Sequence, residues 1–211
     1  MEARIIATNF MKYGTIRNEN LDVLYQSNLE EFNDVAKEIY RAMDLNYPKF
    51  YKMDDMSKAA LLCCEELLKD KRIDLIERKG IFLVNKSSSL AIDEEYQSKT
   101  FANDEISQQP AMFVYTLPNA MIGVLSIRHK FKGEQSMWIR DSFDANSICN
   151  YVNLLFLNDI INMCLIGWVD FYKNKECVFL SMVEKVNSAN KKLELFNAKN
   201  LDDIYNKLIS L

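Results

Sequence analysis

The chain is poor in the residues that interrupt structure, with only five glycines and three prolines in 211 residues. Long linkers and low-complexity tracts are therefore not predicted, and 49% hydrophobic residues suit a packed fold, read as one domain over 1–211. Histidine is almost missing. With His129 alone, and with Cys63, Cys64, Cys149, Cys164 and Cys177 showing no C-x-x-C spacing, neither a metal nor a cofactor is expected. The five thiols read as free, as in a reducing cytosol. Basic charge is not in excess either: 26 Lys+Arg against 30 Asp+Glu leave a net charge of −4, which argues against nucleic acid as a partner. The first twenty residues lack the apolar centre of an export signal, so a cytoplasmic location is expected. One charge-free stretch, Ala111 to Ile127, is shorter than the ~20 residues of a membrane span and is broken by Thr116, Pro118 and Asn119, so no span is predicted.

What is present alternates between two periods. Arg4 to Thr8 reads as a first strand, followed by turn residues at Tyr13-Gly14. Ser27 and Glu30 form a capping-box pattern before Leu29, Phe32, Ala36, Ile39 and Met43, which recur at helical spacing up to Tyr47-Pro48. Asp54 is placed to cap a second helix whose inner face is Met56, Ala60, Cys63 and Leu67, so Cys63 reads as packing. Gly80 to Val84 is a continuous apolar run, the pattern of a strand covered on both faces. The serines at 87, 88 and 89 that follow have no glycine beside them to close a phosphate cradle, and read as a turn. Ala120 to Lys130 suits a helix and Ser136 to Arg140 a strand. Asp144 suits an N-cap for a helix bearing Ile148, Tyr151, Val152, Leu155 and Ile160. Met163 to Val169, Cys177 to Val183 and Leu193 to Phe196 read as strands, and Leu201 to Leu208 as a closing amphipathic helix. Strands alternating with helices give an α/β class.

One segment carries a more specific likeness. Thr116-Leu117-Pro118-Asn119, Gly123, Ser126-Ile127-Arg128 and Lys132-Gly133 resemble the part of the β-ketoacyl synthases that runs helix, glycine turn and nucleophile strand. Counted on from Gly133 without gaps, the family's nucleophilic cysteine falls on Ser142, and its G-G-x-E segment on Gly167-Trp168-Val169-Asp170. Cys177 to Glu184 is similar to the apolar strand ending in an acid that closes the family's N-terminal half. The resemblance implies a thiolase-like half, a layered α/β/α domain with a mixed, mostly parallel sheet.

The departures bear on activity. A condensing enzyme needs a thiolate, and a serine hydroxyl needs an adjacent base, which in the family comes from a second half not found in this sequence. Arg140-Asp141 stand where the family has small residues. His129 lies between Arg128 and Lys130 and reads as part of a basic helix end. Asp141, Asp144 and Asp170 have no acid/base partner fixed by spacing, and Cys149, on the body of a helix, reads as packing, as do Trp138 and Trp168. The resemblance therefore implies a non-condensing, ketosynthase-like protein acting by association, as a homodimer or a heterodimer with a ketosynthase, with an acyl carrier protein as a further partner, in fatty-acid, polyene or polyketide synthesis. The strand from Ser136 to Asp141 would be the edge that needs a partner. The alternatives are an acyltransferase or thioester hydrolase using Ser142, and half of a split ketosynthase completed by another chain.

Overall fold

The computed structural model describes residues 2–69, 71, 73, 78–101, 109–186 and 193–210. Its strands are β1 (Glu2–Lys12), β2 (Thr15–Asn18), β3 (Val23–Gln26), β4 (Lys79–Asn85), β5 (Gln135–Ile139), β6 (Met163–Tyr172), β7 (Lys175–Val186) and β8 (Glu194–Leu195). The α-helices are α1 (Phe32–Ala42), α2 (Asp55–Leu68), α3 (Leu90–Thr100), α4 (Pro110–Phe113), α5 (Ala120–His129), α6 (Ala145–Leu157) and α7 (Ala198–Ile209). The strands form one mixed sheet in the order β3-β2-β1-β7-β6-β4-β5, with β8 beside β1. Pairing is parallel in β5-β4-β6 and antiparallel from β6 outward through β7, β1, β2 and β3.

Alternating side chains feed two apolar layers, which makes the fold α/β/α. In β4, Ile81 and Leu83 point into the layer under α1, α2 and α5, while Phe82 and Val84 point into the layer under α6 and α7. All seven residues of β4 are buried, which explains why the sequence reads there as an unbroken apolar run. Strand β1 does the same with one interruption. Its register against β7 slips between Ile5 and Ala7, so Ile6 is an extra residue and the alternation reverses phase: Ala3 and Ile5 enter the α6 layer, Ala7 and Met11 the α2 layer.

The hairpin after β1 turns on Tyr13 and Gly14, both at positive φ (50° and 69°), the geometry of a two-residue turn that matches strand twist. The returning strands β2 and β3 were not expected, because four residues each give too short a pattern to read. The expected capping box at Ser27 does not form. Ser27 is held by its own N–H, which donates to the Gly14 carbonyl (2.9 Å), and by its hydroxyl, which donates to Glu38. Helix α1 consequently begins at Phe32, after an uncapped Glu31. Asp54 does cap α2, accepting the Ser57 N–H at 3.3 Å, and Cys63 is fully buried on that helix. Helix α3 follows the serine turn without a clear apolar stripe; only Ile92 and Thr100 are buried on it, so no periodic signal announces it. The charge-free stretch is a bent pair, Pro110–Thr116 and Ala120–His129, crossing at 98°. Among the described residues no single helix is long and apolar enough to cross a membrane.

Candidate functional site at the ends of the parallel strands

Strands β5, β4 and β6 run in the same direction, and the loops leaving their C-terminal ends form the rim where open α/β sheets commonly hold ligands. Ser142 lies on this rim, exposed, in the loop from β5 to α6. The loop leaves the sheet just after Arg140, whose N–H donates to the Asn85 carbonyl (2.8 Å) as a last rung of the β4–β5 ladder. The neighbours of Ser142 are committed to packing. The Arg140 guanidinium stands over the Trp138 ring at 5.0 Å. Phe143 turns inward, stacks on Tyr205 of α7 (4.0 Å between centroids, 16° between planes) and meets Phe179 of β7 at 5.4 Å. These aromatic rings fill the space beneath the loop, and burial raises the Tyr205 phenol well above its ordinary range.

The N-terminus of α6 offers the amides and dipole that would stabilise an anion. They are already engaged: Asp144 accepts the Ser147 N–H (3.1 Å) and the Ser147 hydroxyl (2.5 Å), and these bonds lower its pKa. Asp202 on α7 lies close enough to feel this charge; its pKa is raised by burial first, then by Asp144 and Asp203. The helix start behind Ser142 thus already holds a carboxylate, with the Arg140 cation also acting on it. Asp144→Ala should cost about 1 kcal/mol of stability in urea unfolding near neutral pH. Because the carboxyl pKa is lower in the fold than its ordinary 3.8, that difference is present above pH 3.8 and fades as the pH falls through the lower folded value.

His129 is at the other end of the strands. Its carbonyl accepts from the Lys79 ammonium (3.3 Å) at the first residue of β4, and its Nε2 is 3.7 Å from Glu65, which also accepts from Arg128 (2.6 Å). Six residue steps of β4 separate Lys79 from Asn85, roughly 20 Å at strand rise, so His129 cannot serve Ser142 as a base. The reading of His129 as part of a basic helix end holds. Asp170, in the segment likened to G-G-x-E, accepts the Ser87 N–H (2.8 Å), the Lys86 N–H (3.3 Å) and the Ser87 hydroxyl (3.1 Å). It tethers the serine turn to β6. Cys149 faces the α6 layer, and burial pushes its thiol up to about 12, so it stays protonated near neutral pH. Trp168 is buried in the same layer, and half-buried Trp138 meets Phe82 edge-on at 4.7 Å.

The sequence missed the aromatic floor. Its one signal was an apolar residue, Phe143, immediately before the cap Asp144, a position that commonly anchors a helix entry. Two open clefts lie elsewhere: one of about 580 Å³ bordered by Met53, Asp54, Lys58, Ile92 and Tyr115, and one of about 560 Å³ between α5 and β5. Ser142 lines neither. Among the described residues, no three His, Cys, Asp or Glu side chains gather as a metal site.

This layered architecture is thiolase-like, and solved ketosynthase structures share the fold. The ishigamide ketosynthase/chain length factor superposes with a TM-score of 0.68 at 15% identity, over 90% of this chain and 64% of that one. A type II polyketide acyl-carrier protein in complex with its ketosynthase gives 0.66 at 13% identity, again over 90% and 64%. The present chain therefore spans a little under two thirds of those relatives. The ketosynthase ApeO in complex with its chain length factor ApeC from Xenorhabdus doucetiae gives 0.58 at 12% identity, over 99% of this chain and 92% of that one. No family model and no curated protein sequence matches the chain.

Proposed function

We propose that this chain is a ketosynthase-like partner protein that works by association in fatty-acid, polyene or polyketide synthesis in the cytoplasm, without condensing acyl groups by itself. Its partners are a chain of ketosynthase fold and, through that complex, an acyl carrier protein. One observation carries this reading: among the described residues β5 is an edge strand, paired only with β4, and its residues Gln135 to Ile139 remain half-exposed or exposed. An open edge of that length is a template for another strand. The near end-to-end match to a chain from a ketosynthase and chain length factor complex supports the same reading, since a chain of similar length has this fold there.

Ser142, at the nucleophile-equivalent position, is exposed and chemically available, which favours the rival reading of an acyltransferase or thioester hydrolase. Two features weigh against it: the capped, negatively charged helix start, and the remoteness of His129. Incubation with acyl-CoA and acyl-carrier thioesters should leave the intact mass unchanged, with thioester hydrolysis at the rate of buffer alone. An acyl adduct that disappears in Ser142→Ala would overturn the non-enzymatic reading. Retention of a ketosynthase on the immobilised chain, lost on Met137→Pro in β5, supports the association.

A further inference from the structure

The cleft of about 580 Å³ bordered by Met53, Asp54, Lys58, Ile92 and Tyr115 involves neither the β5 edge nor the Ser142 loop, and its volume is that of a small-molecule site. Helices α1 to α4 and the 3-10 turns Pro48–Lys52 and Val114–Thr116 all contribute to its border. Most of its charges are already engaged. Lys58, 7% accessible, donates from its ammonium to Asn33 Oδ1 and Asp55 Oδ1, both at 2.8 Å. Glu95 of α3 is paired with Lys99, and Lys52 is exposed to solvent.

Asp54 is the exception. Among the described residues it is in no ion pair; its bond is the capping one, accepted from the Ser57 N–H at 3.3 Å. Burial raises its pKa from 3.8 to about 6, against the lowering effect of the Ser57 bonds, and the push of Asp55 outweighs the pull of Lys58. A carboxylate that burial disfavours and no cation answers is stabilised by a cation brought to it. The rest of the border suits such a visitor. Tyr51 and Tyr115 present aromatic rings, whose faces attract ammonium groups, and Met53, Ile92 and Met112 present apolar side chains. The Tyr115 phenol is held above its ordinary range by burial first and by the Asp54 charge second, which sets the ring beside that carboxyl.

We infer that this cleft binds a small primary amine carrying an apolar group, its ammonium against Asp54 and the Tyr115 ring and its apolar part against Met53, Ile92 and Met112. The inference goes beyond the association reading and stands apart from it. An anion of the same size is disfavoured, because it would join Asp54, Asp55 and Glu95 while Lys58 is held by its two partners.

Binding is coupled to pH through Asp54. An alkylamine, with a pKa of ~10.4 like that of lysine, stays charged through the neutral range. The groups that face Asp54 are Asp55 and Lys58 of α2, which pair with each other, Tyr115 of the second turn, Glu95 of α3, which pairs with Lys99, and exposed Lys52 of the first turn. The ammonium favours the ionised carboxyl, so affinity falls as the pH drops through about 6, and near that pH binding releases a proton.

Isothermal titration calorimetry of the full chain with phenethylamine tests this. Binding should be about tenfold tighter at about pH 7.5 than at about pH 5, the ratio of ionised Asp54 at the two values. Near pH 6 the observed heat should vary with the ionisation enthalpy of the buffer, in the direction of proton release. Asp54→Asn, which keeps a capping side chain on α2, should bind about tenfold more weakly at neutral pH and lose the pH dependence. Tyr115→Leu should weaken binding about fivefold. Phenylpropanoate, of matching size and opposite charge, should not bind. No saturable binding, equal binding of phenylpropanoate, an affinity unchanged between the two pH values, or a folded Asp54→Asn that binds as the wild type does overturns the inference. If Asp54→Asn does not fold, the pH ratio and Tyr115→Leu decide. Retention of a ketosynthase through β5 is a separate measurement, so the association reading stands or falls independently.

Discussion

Gly167→Ala should fail to give soluble, cooperatively folding protein, or should lose more than about 3 kcal/mol in chemical unfolding. Gly167 lies in β6 opposite Leu180 of β7, and a Cβ there would be driven into the Phe179 carbonyl oxygen, with the carbonyl carbon only 3.0 Å away. The obstacle is backbone, which cannot swing aside as a side chain can. Strands β6 and β7 share ten paired positions, from Met163 with Glu184 to Tyr172 with Lys175, and both are buried on two faces. Separating them by a methyl group would strain the centre of the sheet. The usual gain from replacing a strand glycine by alanine, about 0.5–1 kcal/mol, is too small to offset this. Expression yield and a urea titration followed by far-ultraviolet circular dichroism check the result; a soluble variant within 1 kcal/mol of wild type would refute it.

Phe82→Ala should cost about 3–5 kcal/mol and also loosen β5. The Phe82 ring is fully buried in the α6 layer, 4.7 Å from both Trp138 and Tyr151, and is the floor on which these two rings rest. Removing it leaves a cavity beneath the proposed docking edge. The Ser136 and Tyr151 hydroxyls, 2.9 Å apart and both within 3.2 Å of Glu134, would lose their fixed spacing. Hydrogen exchange at the amides from 135 to 139 should accelerate, and Trp138 fluorescence should shift as water reaches the ring. Unchanged exchange in β5 alongside a large fall in stability would show that the strand is held by β4 alone.

The strongly buried strands were readable in the sequence because burial on both faces writes itself as a continuous apolar run, as in Gly80 to Val84 and Met163 to Val169. The helix caps at Asp54 and Asp144 were equally readable, since a short acidic side chain before an apolar periodicity has few other uses. Elements held by long-range contacts were not. Ser27 looked like a cap because local pattern cannot reveal that Gly14, thirteen residues earlier in the chain, claims its amide. Strands β2 and β3 are short, and their burial is partial, so periodicity has too few residues to act on. Around Ser142, the sequence indicated the position and the helix behind it, but not the aromatic stack below. Phe143 and Tyr205 are sixty-two residues apart, and only the packing of α7 on α6 brings them together.

The extra residue at Ile6 gives β1 something like a reading frame. On its two sides the same strand speaks to opposite layers, with odd positions facing α6 and α7 before the bulge and α2 after it. Deleting Ile6 itself would close the bulge, since Ile5 and Ala7 already pair with the consecutive residues Val183 and Met182, and both halves would keep their layers; deleting a residue on either side while the bulge stays would set part of the strand against a layer shaped for other side chains. Substitution in β1 is thus a question of size and polarity, whereas deletion is a question of position: harmless to the phase at Ile6, a frameshift in three dimensions away from it.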